Sequence, residues 1–325
     1  MRTWVLIVVV LTAIVTDSRA AYSWGNEYFT EPHSIMLFGG NLLVVTSTGN
    51  FTVPKPPGWI GQYASPLPAL SPVGDQLAWS LKLPIDPANS KCSPFPYKMC
   101  PGLGLSAYKS VMGVYSLRDK AWKFYGDFCL VGSAAYSPDG TRIAFMGKER
   151  LGNPDCGYVY GSDLLHILDL QSGLLTPVPE TGGMPYIDQL SWAPDGKRLA
   201  IGLKNSIVSI EIGSWAQKVI TEGTNPSWSP KGDWIAYNVH DGRTCMLIRP
   251  DGTGAKIVFD LRPQSGGWLF YDGETWSPDG EKLLLNEEVM DGVDFNVTML
   301  DLVTGKTTTR SKKGLPVLGW VAAIK

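Results

Sequence analysis

A four-residue turn recurs five times along this 325-residue chain, and it constrains the fold more than any other feature. In the copy Ser137-Pro138-Asp139-Gly140, each residue type suits one position of a type I turn. The serine can hydrogen-bond the turn's own backbone, the proline presets φ near about −65°, and the glycine relieves the chain as it reverses. Short apolar or alternating segments lie on both sides, so each copy predicts a β-hairpin.

The remaining copies vary at single turn positions, and each is again followed by a strand-like segment. They read Ser-Pro-Val-Gly from Ser71, Ala-Pro-Asp-Gly from Ala193, Ser-Pro-Lys-Gly from Ser229 and Ser-Pro-Asp-Gly from Ser277. Val73 and Lys231 therefore stand where the other copies have aspartate, and Ala193 stands where they have serine. We expect these departures to weaken the local turn and to leave the fold unchanged.

A second kind of hairpin alternates with the first along the chain. It is seen in the segments that begin at Leu168, Ile248 and Leu300, with weaker versions from Val114 and Ile210. The repeating unit is therefore four antiparallel strands, and successive copies of the first turn lie 36 to 66 residues apart. Repetition at this period predicts a β-propeller, in which each blade buries its faces against the neighbouring blades.

A large aromatic residue precedes the turn in four of the five copies. These residues are Tyr136, Trp192, Trp228 and Trp276. The chain contains 12 tryptophans, too many to leave exposed, so we expect these side chains to fill the wedge between adjacent blades.

Five copies predict five blades, and the two ends of the chain predict a sixth. Trp320 follows Trp276 by 44 residues, in the aromatic position of a first strand, while the segment from Ser34 supplies three strand-like runs without such a strand. Joining the two ends would remove an open sheet edge. The predicted fold class is all-β, a six-bladed β-propeller of four-stranded antiparallel blades whose last blade is closed by N- and C-terminal strands. Seven blades would follow if residues 81–110 hold further strands.

These hairpins resemble the repeat of the TolB-like β-propeller family, a WD40-like repeat that also occurs in prolyl-oligopeptidase-like peptidases. The resemblance spans about residues 35–325 and rests on the five turn copies. TolB carries an α/β domain before its propeller, and residues 21–34 are too few to form one. The peptidases carry a hydrolase domain with a Gly-x-Ser-x-Gly motif, which this sequence lacks. The resemblance therefore implies a propeller without either domain.

The N-terminus has the pattern of a secretory signal peptide. A short basic region precedes the 12-residue apolar run Trp4–Val15, and Ser18-Arg19-Ala20 offers small residues at a cleavage site. We predict a signal peptide over 1–20, a linker over 21–34 and a propeller domain over 35–325, and export to the periplasm or the medium. The alternative is an uncleaved membrane anchor, although 12 residues are few for spanning a bilayer.

Charge and cysteine content narrow the partners and the compartment. The chain has 28 basic and 30 acidic residues and no basic block, so we expect neither nucleic acid binding nor membrane insertion after cleavage, and we expect a monomer. Export permits disulfides, and the spacing pairs Cys92 with Cys100 and Cys129 with Cys156. Cys245 is then expected to be a buried thiol within a strand.

A binding surface is expected at the end of the propeller opposite the turns, because the long, irregular loops gather there. Binding residues favour variable loops on a rigid scaffold. The predicted ligand-binding residues are Phe95, Tyr97, Arg150, Tyr158, Tyr160, His240, Trp268, Phe270, Tyr271 and Asp272. The alternative for each aromatic residue is that it packs the loops against the end of the blades.

Sequence patterns of catalysis are sparse. Glu287, Glu288, Asp291 and Asp294 could hold a calcium ion through oxygen ligands, or form a solvated acidic turn. The histidines are His33, His166 and His240, without the paired spacing of a metal site, and His166 is expected to pack within a strand. We therefore predict no cofactor and a non-enzymatic binding or scaffold module for an envelope or extracellular protein or a glycan. The alternative is a carbohydrate-active or other hydrolytic enzyme with carboxylates or a metal at the mouth of the channel.

Overall fold

The structure is a computed structural model of the full chain. It describes residues 4–7, 9–11, 34–39, 41–46, 49–54, 69–72, 75–84, 108–149, 163–179, 181, 189–203, 205–239, 243–260, 268–270, 276–277, 279–288, 294–313 and 319–322. The regular elements of these residues are all β-strands, and no helix occurs among them. This confirms the predicted all-β class.

The strands follow one another along the chain with short turns between many of them. They are β1 (Trp4–Ile7), β2 (Val9–Leu11), β3 (Ser34–Gly39), β4 (Asn41–Thr46), β5 (Gly49–Val53), β6 (Ala69–Leu70), β7 (Gln76–Pro84), β8 (Tyr108–Ser116), β9 (Ala121–Tyr136), β10 (Arg142–Glu149), β11 (Asp163–Asp169), β12 (Leu175–Pro177), β13 (Leu190–Trp192), β14 (Arg198–Leu203), β15 (Ser206–Glu211), β16 (Gln217–Glu222), β17 (Thr224–Trp228), β18 (Ile235–Val239), β19 (Thr244–Ile248), β20 (Lys256–Asp260), β21 (Trp268–Phe270), β22 (Lys282–Glu288), β23 (Asp294–Asp301), β24 (Thr307–Lys313) and β25 (Gly319–Ala322).

Three sheets reproduce the predicted four-strand unit. They are formed by β13 to β16, β17 to β20 and β21 to β24, each in chain order and with antiparallel neighbours. Consecutive strands joined by tight turns favour this meander, because each strand meets the next without a crossover. Buried apolar residues of successive sheets pack against each other, so the core lies between the sheets as in a propeller.

A seven-stranded sheet joins two further units through one long strand. β9 pairs with β8 over Ala121–Phe128 and with β10 over Phe128–Tyr136. Phe128 lies opposite both Ser110 and Glu149, so the strand passes from one unit to the next at this residue. Two residues earlier, Gly126 has a φ of 78°, in the left-handed region that glycine adopts at no steric cost.

The two chain ends pair differently from the prediction. β25, which contains Trp320, pairs with β1 and not with β3. β2 instead lies beside β3 in parallel and takes the first position of the sheet β2-β3-β4-β5. The apolar N-terminal segment, which we expected to lie outside the fold, occupies the open edge of β3 in the full chain. Six blades therefore remain a prediction, and residues 85–107, where a seventh blade would need strands, lie outside the described residues.

The recurrent turn is held by the serine hydroxyl. The Oγ atom of Ser137 accepts a hydrogen bond from the N–H of Arg142 at 2.9 Å and donates one to Oδ1 of Asp139 at 2.6 Å. The N–H of Gly140 donates to the carbonyl oxygen of Ser137 at 2.8 Å, which closes the turn. The predicted turn is confirmed in this copy.

Two altered copies obtain the carboxylate from a different position. The hydroxyl of Ser71 donates to Asp75 at 2.8 Å, and the hydroxyl of Ser229 donates to Asp233 at 2.7 Å. Both aspartates follow the glycine of the turn, two residues beyond the usual position. The expected weakening of these turns is therefore offset, because the serine keeps a carboxylate partner.

The aromatic residue before each turn is buried between adjacent sheets, as predicted. Trp192, Trp228 and Trp276 are 5–6% exposed. The indole N–H of Trp192 donates to the carbonyl oxygen of Ala135 at 3.1 Å, and that of Trp276 donates to the carbonyl oxygen of Ser227 at 3.0 Å. Each acceptor belongs to the preceding sheet, so the indole ties two sheets together.

Trp228 packs in the same way without this hydrogen bond. Its indole N–H is buried and has no acceptor among the described residues. Each of these two rings is covered by a guanidinium group at the same distance. Arg142 lies 4.9 Å from the Trp192 ring, and Arg198 lies 4.9 Å from the Trp228 ring. The two tryptophans thus differ mainly in the indole hydrogen bond.

We expect Trp192→Phe to lower the free energy of unfolding by about 1 kcal/mol more than Trp228→Phe. Both variants lose a similar ring area, and each loses part of the contact with the arginine over its ring. Only Trp192→Phe also loses a buried hydrogen bond. Urea unfolding of the two variants and the parent measures the difference. Equal losses would contradict the assignment of this hydrogen bond as a tie between sheets.

Asp139 links the stability of its turn to pH. Burial raises the pKa of the Asp139 carboxyl group, but hydrogen bonds from Ser137 and Thr141 and the charge of Arg142 together hold that pKa below its usual value. A carboxyl group with a lower pKa in the folded chain stabilises the fold above its unfolded pKa. This contribution is lost as the pH falls through the folded pKa.

We expect Asp139→Asn to lower the free energy of unfolding at pH 7 by less than about 1 kcal/mol, because solvent screens this exposed carboxylate. The difference from the parent should shrink as the pH falls below about 4, the pKa of an aspartate in an unfolded chain. Urea midpoints measured from about pH 7 to about pH 2.5 test the trend. A difference that stays constant would exclude a contribution from the charge.

Removal of residues 1–20 would leave β3 without β2 and β25 without β1. We expect these two strands to pair in the chain 21–325 and so to close the last sheet. In that chain Trp320→Ala should lower the free energy of unfolding by about 3 kcal/mol, whereas Val303→Ala, at a side chain 73% exposed, should cost under about 0.5 kcal/mol. If urea unfolding showed an equally small loss of stability for Trp320→Ala and Val303→Ala, β25 would not close the sheet.

Candidate functional site

Most residues of the predicted binding surface lie outside the described residues. These are Phe95, Tyr97, Arg150, Tyr158, Tyr160, His240, Tyr271 and Asp272. Trp268 and Phe270 are described as the first and last residues of β21. The surface as a whole therefore remains a prediction.

The register of the last four-stranded sheet brings two predicted groups to one end. Trp268 of β21 lies opposite Glu288 of β22, and Leu269 lies opposite Glu287. Glu288 is also paired with Phe295 of β23, one residue after Asp294. This end of the sheet is the one away from the Ser-Pro-Asp-Gly turn that precedes Lys282. The backbone thus places predicted aromatic and carboxylate residues on adjacent strands, while Asp291 lies outside the described residues.

The cysteine predictions are described for two of the five residues. Cys129 is disulfide-bonded, and its partner lies outside the described residues, as do Cys92, Cys100 and Cys156. The pairing of Cys92 with Cys100 and that of Cys129 with Cys156 therefore remain predictions. Cys245 is buried in β19 and forms no disulfide, in agreement with its expected state.

His166 is a packed strand residue, as expected. It is 1% exposed, and its ring stacks on Phe145 with centroids 5.5 Å apart and meets the edge of Phe128 at 5.1 Å. Its Nδ1 atom lies 2.9 Å from the carbonyl oxygen of Leu164. These contacts give His166 a place in the core of the second unit. His33 and His240 lie outside the described residues.

The described part of the chain contains no group of three or more histidine, cysteine, aspartate or glutamate residues that could hold a metal ion. It also contains no helix with the length and apolar character needed to cross a bilayer.

A groove of about 870 Å³ lies between two sheets on the side of the turns. One wall is the outer part of the sheet β13 to β16, and the other is formed by the turns of the sheet β17 to β20. The lining residues are Arg198, Ser209, Glu211, Ala216, Gln217, Lys218, Ile220, Gly232, Asp233, Trp234, Arg249, Pro250 and Asp251. We call this site the turn-side groove. Its volume falls within the range of small-ligand sites.

The groove lies at the junction where Arg198 donates its hydrogen bond to its own turn. At the preceding junction, Arg142 crosses to the next sheet and donates to the carbonyl oxygen of Gly196 at 3.0 Å. The equivalent Arg198 donates instead to Asp195 of its own turn at 3.1 Å. Its guanidinium group therefore contacts the next sheet through the ring of Trp228, 4.9 Å away, and not through a hydrogen bond to Gly232.

The charges of the groove are mixed and several are held in place. The Nζ atom of Lys218 donates to the carbonyl oxygen of Asp251 at 3.0 Å, which joins the two walls at one point. Hydrogen bonds from Thr253 lower the pKa of the Asp251 carboxyl group, and the charges of Arg249 and Lys218 add to this effect. Asp251 is therefore an anion at neutral pH.

Trp234 is the aromatic residue of the groove, and two cations lie against its ring. The Nζ atom of Lys256 is 4.6 Å from the ring and the guanidinium carbon of Arg249 is 5.6 Å away. Such contacts between a cation and an aromatic face are attractive. Trp234 also packs against the core cluster that contains Trp276.

Sequence reasoning missed this groove because it placed the binding surface at the opposite end of the propeller, where the long loops gather. One signal was present: the fourth copy reads Ser-Pro-Lys-Gly-Asp-Trp, with Trp234 where the second and third copies have Arg142 and Arg198. A tryptophan in place of the arginine marks the one copy whose turn lines the groove.

Comparison with known sequences gives limited similarity. No protein-family model matches the chain. An uncharacterised protein from Agrobacterium fabrum is 27% identical over 198 residues, which cover 53% of this chain and 58% of that relative. The match thus spans less than two thirds of the relative's length.

Comparison with solved structures identifies the fold. A putative TolB from Agrobacterium tumefaciens has a TM-score of 0.55 and 18% identity, covering 85% of this chain and 93% of the other. A chain of the nidogen–laminin complex has a TM-score of 0.57 and 11% identity, covering 90% and 99%. An oligogalacturonate lyase in complex with manganese has a TM-score of 0.53 and 13% identity, covering 85% and 72%. These similarities support a β-propeller fold.

Proposed function

We propose that this chain is a β-propeller binding module whose partner is an envelope or extracellular protein or a glycan. The partner would dock at the end of the propeller opposite the turns. A propeller suits this role because its rigid sheets hold variable loops in a fixed arrangement. The module acts without catalysing a reaction, as a monomer, after export to the periplasm or the medium and removal of residues 1–20.

One observation carries this proposal: the register that brings β21, β22 and β23 together at that end. Trp268 lies opposite Glu288, which in turn lies opposite Phe295. Aromatic residues beside polar ones are typical of binding surfaces, since an aromatic side chain supplies contact area and a carboxylate supplies direction. The segments that follow β21 and β22 contain Tyr271, Asp272 and Asp291 of the predicted residues.

The disulfide at Cys129 supports the same location. Cys129 lies in β9 where that strand passes into the second unit, and its carbonyl oxygen accepts a hydrogen bond from the hydroxyl of Ser110 at 3.2 Å. A cross-link from this strand into the adjoining loop lowers the entropy that the loop loses when it engages a partner. An oxidised cysteine also suits an exported protein.

The alternative function is an enzyme with carboxylates or a metal at the mouth of the channel. The solved oligogalacturonate lyase in complex with manganese shares the propeller fold at 13% identity. At that identity the similarity extends to the fold alone. The four acidic residues at Glu287, Glu288, Asp291 and Asp294 are the carboxylates of this chain that would be tested first.

A thermal-shift screen of the chain 21–325 under oxidising conditions separates the two functions. Its probes are calcium, manganese, EDTA and neutral and acidic oligosaccharides, including oligogalacturonides. A ligand that binds the folded state raises the midpoint, by several degrees when it is present at about a hundred times its Kd. Under the proposed function, a neutral oligosaccharide or none of these probes raises the midpoint, and cross-linking in native extracts then captures a protein partner.

Matched variants locate the effect. Trp268→Ala should abolish the midpoint shift or the cross-linked product, whereas Phe124→Ala, an exposed aromatic residue on β9, should leave both unchanged. A midpoint shift with manganese that disappears in Glu288→Gln, together with cleavage of oligogalacturonides, would overturn the binding role in favour of the enzyme.

A further inference from the structure

The strand that borders the turn-side groove is an exposed sheet edge. β16 is the last strand of its sheet, and its first three residues, Gln217, Lys218 and Val219, are all exposed. The side chain of Val219 is 64% exposed. An exposed edge strand can accept a further strand through its backbone.

The register shows which backbone groups of β16 face outwards. The N–H of Glu211 donates to the carbonyl oxygen of Ala216, and Gln217, Lys218 and Val219 then lie opposite Ile210, Ser209 and Val208. Residues of an antiparallel strand alternate between bonding the neighbour and facing away from it. Gln217 and Val219 therefore direct their N–H and C=O groups away from β15, at the free edge of the sheet.

The groove ends where its opposite wall meets β16. At Gly252 of the opposite wall, φ is 94° and an added Cβ would lie 3.2 Å from the carbonyl oxygen of Ile220. The turn therefore packs directly on the edge of β16 at Ile220, and the open stretch ends there. The volume of about 870 Å³ suits a short extended segment rather than a folded domain.

The charges favour a polypeptide over other polymers. The walls carry three cationic side chains, of Arg198, Lys218 and Arg249, and three acidic ones, of Glu211, Asp233 and Asp251. A nucleic acid or an acidic glycan would meet repulsion from half of them, whereas a peptide can present both signs.

The aromatic residue of the groove is poorly placed for a sugar. Trp234 packs against the core cluster with Trp276, and Lys256 and Arg249 lie against its ring. Little of the ring face is left for a sugar to stack on. Its contribution is to hold the two cations at the wall.

We propose that the turn-side groove binds an extended polypeptide segment of a partner protein, which adds as a strand to β16. Its side chains alternate in direction, so charged residues two apart would face the walls. An acidic residue would pair with Lys218 or Arg249 and a basic one with Glu211 or Asp233. This is a second site, at the end of the propeller opposite the binding surface of the proposed function.

A random library of displayed dodecapeptides, selected against the chain 21–325, tests this site. The three most enriched peptides are synthesised, and their binding is measured by calorimetry and by hydrogen exchange of the protein. The expected peptides contain both acidic and basic residues, and they slow exchange of the amides in Gln217–Glu222 while leaving Lys256–Asp260, the edge strand of the next sheet, unchanged.

Charge reversal provides the matched pair of variants. Lys218→Glu should weaken the peptides at least tenfold, and replacing their acidic residues by lysine should restore binding. Lys197→Glu makes the same change at an exposed residue of the same sheet that does not line the groove, and it should alter binding less than twofold. Trp268→Ala should not affect these peptides, so failure here and failure of the proposed function are distinguishable.

Three outcomes would overturn the proposal. They are a selection that yields no peptide binding at millimolar concentration, exchange protection that lies away from β16, and equal effects of Lys218→Glu and Lys197→Glu. Protection of β16 by a neutral oligosaccharide in place of peptides would reassign the groove to a glycan.

Discussion

The packing of one aromatic side chain between each pair of sheets is the interaction on which the rest of this fold depends. A four-stranded sheet cannot bury both of its faces alone, and the wedge between neighbouring sheets needs a large, flat filler. Trp192 and Trp276 fill it and also bond a backbone carbonyl of the preceding sheet through the indole N–H. Each sheet is thereby fixed to its neighbour at the same height, immediately before the turn. The arginine that follows the turn then covers the next ring, as Arg142 covers Trp192.

Much of this arrangement could be predicted from the sequence because it is local. Ser137, Pro138 and Gly140 define a turn within four residues, and the aromatic residue stands immediately before it. The replacement carboxylates of Asp75 and Asp233 could also have been predicted, since both residues directly follow the altered turns. The features that could not be predicted depend on contacts between residues far apart in the sequence. The sequence around Phe128 does not indicate that one strand pairs within two units. The pairing at the chain ends depends on whether the apolar N-terminal segment is present.

The candidate sites show the same division. The sequence predicted a binding surface from the irregularity of its loops, and the register of β21 with β22 brings two of its predicted groups together. The turn-side groove was missed because it results from a difference between two junctions that look alike in sequence. Arg142 donates a hydrogen bond to the next sheet, whereas Arg198 donates one to its own turn, although both occupy the same position after the turn. Only the three-dimensional arrangement of the two walls shows that the second junction is open.

The continuous strand β9 has a consequence for how such a protein can change its number of repeats. A sheet with its own four strands can be duplicated or deleted as a cassette, because its neighbours lose only surface contacts. The 16-residue strand β9 gives its first half to one ladder and its second half to the next, so the boundary between these two units lies inside a strand, at Phe128. Gene duplication or loss between these two units would therefore have to cut within a strand, whereas the boundaries among the three sheets that follow lie between strands.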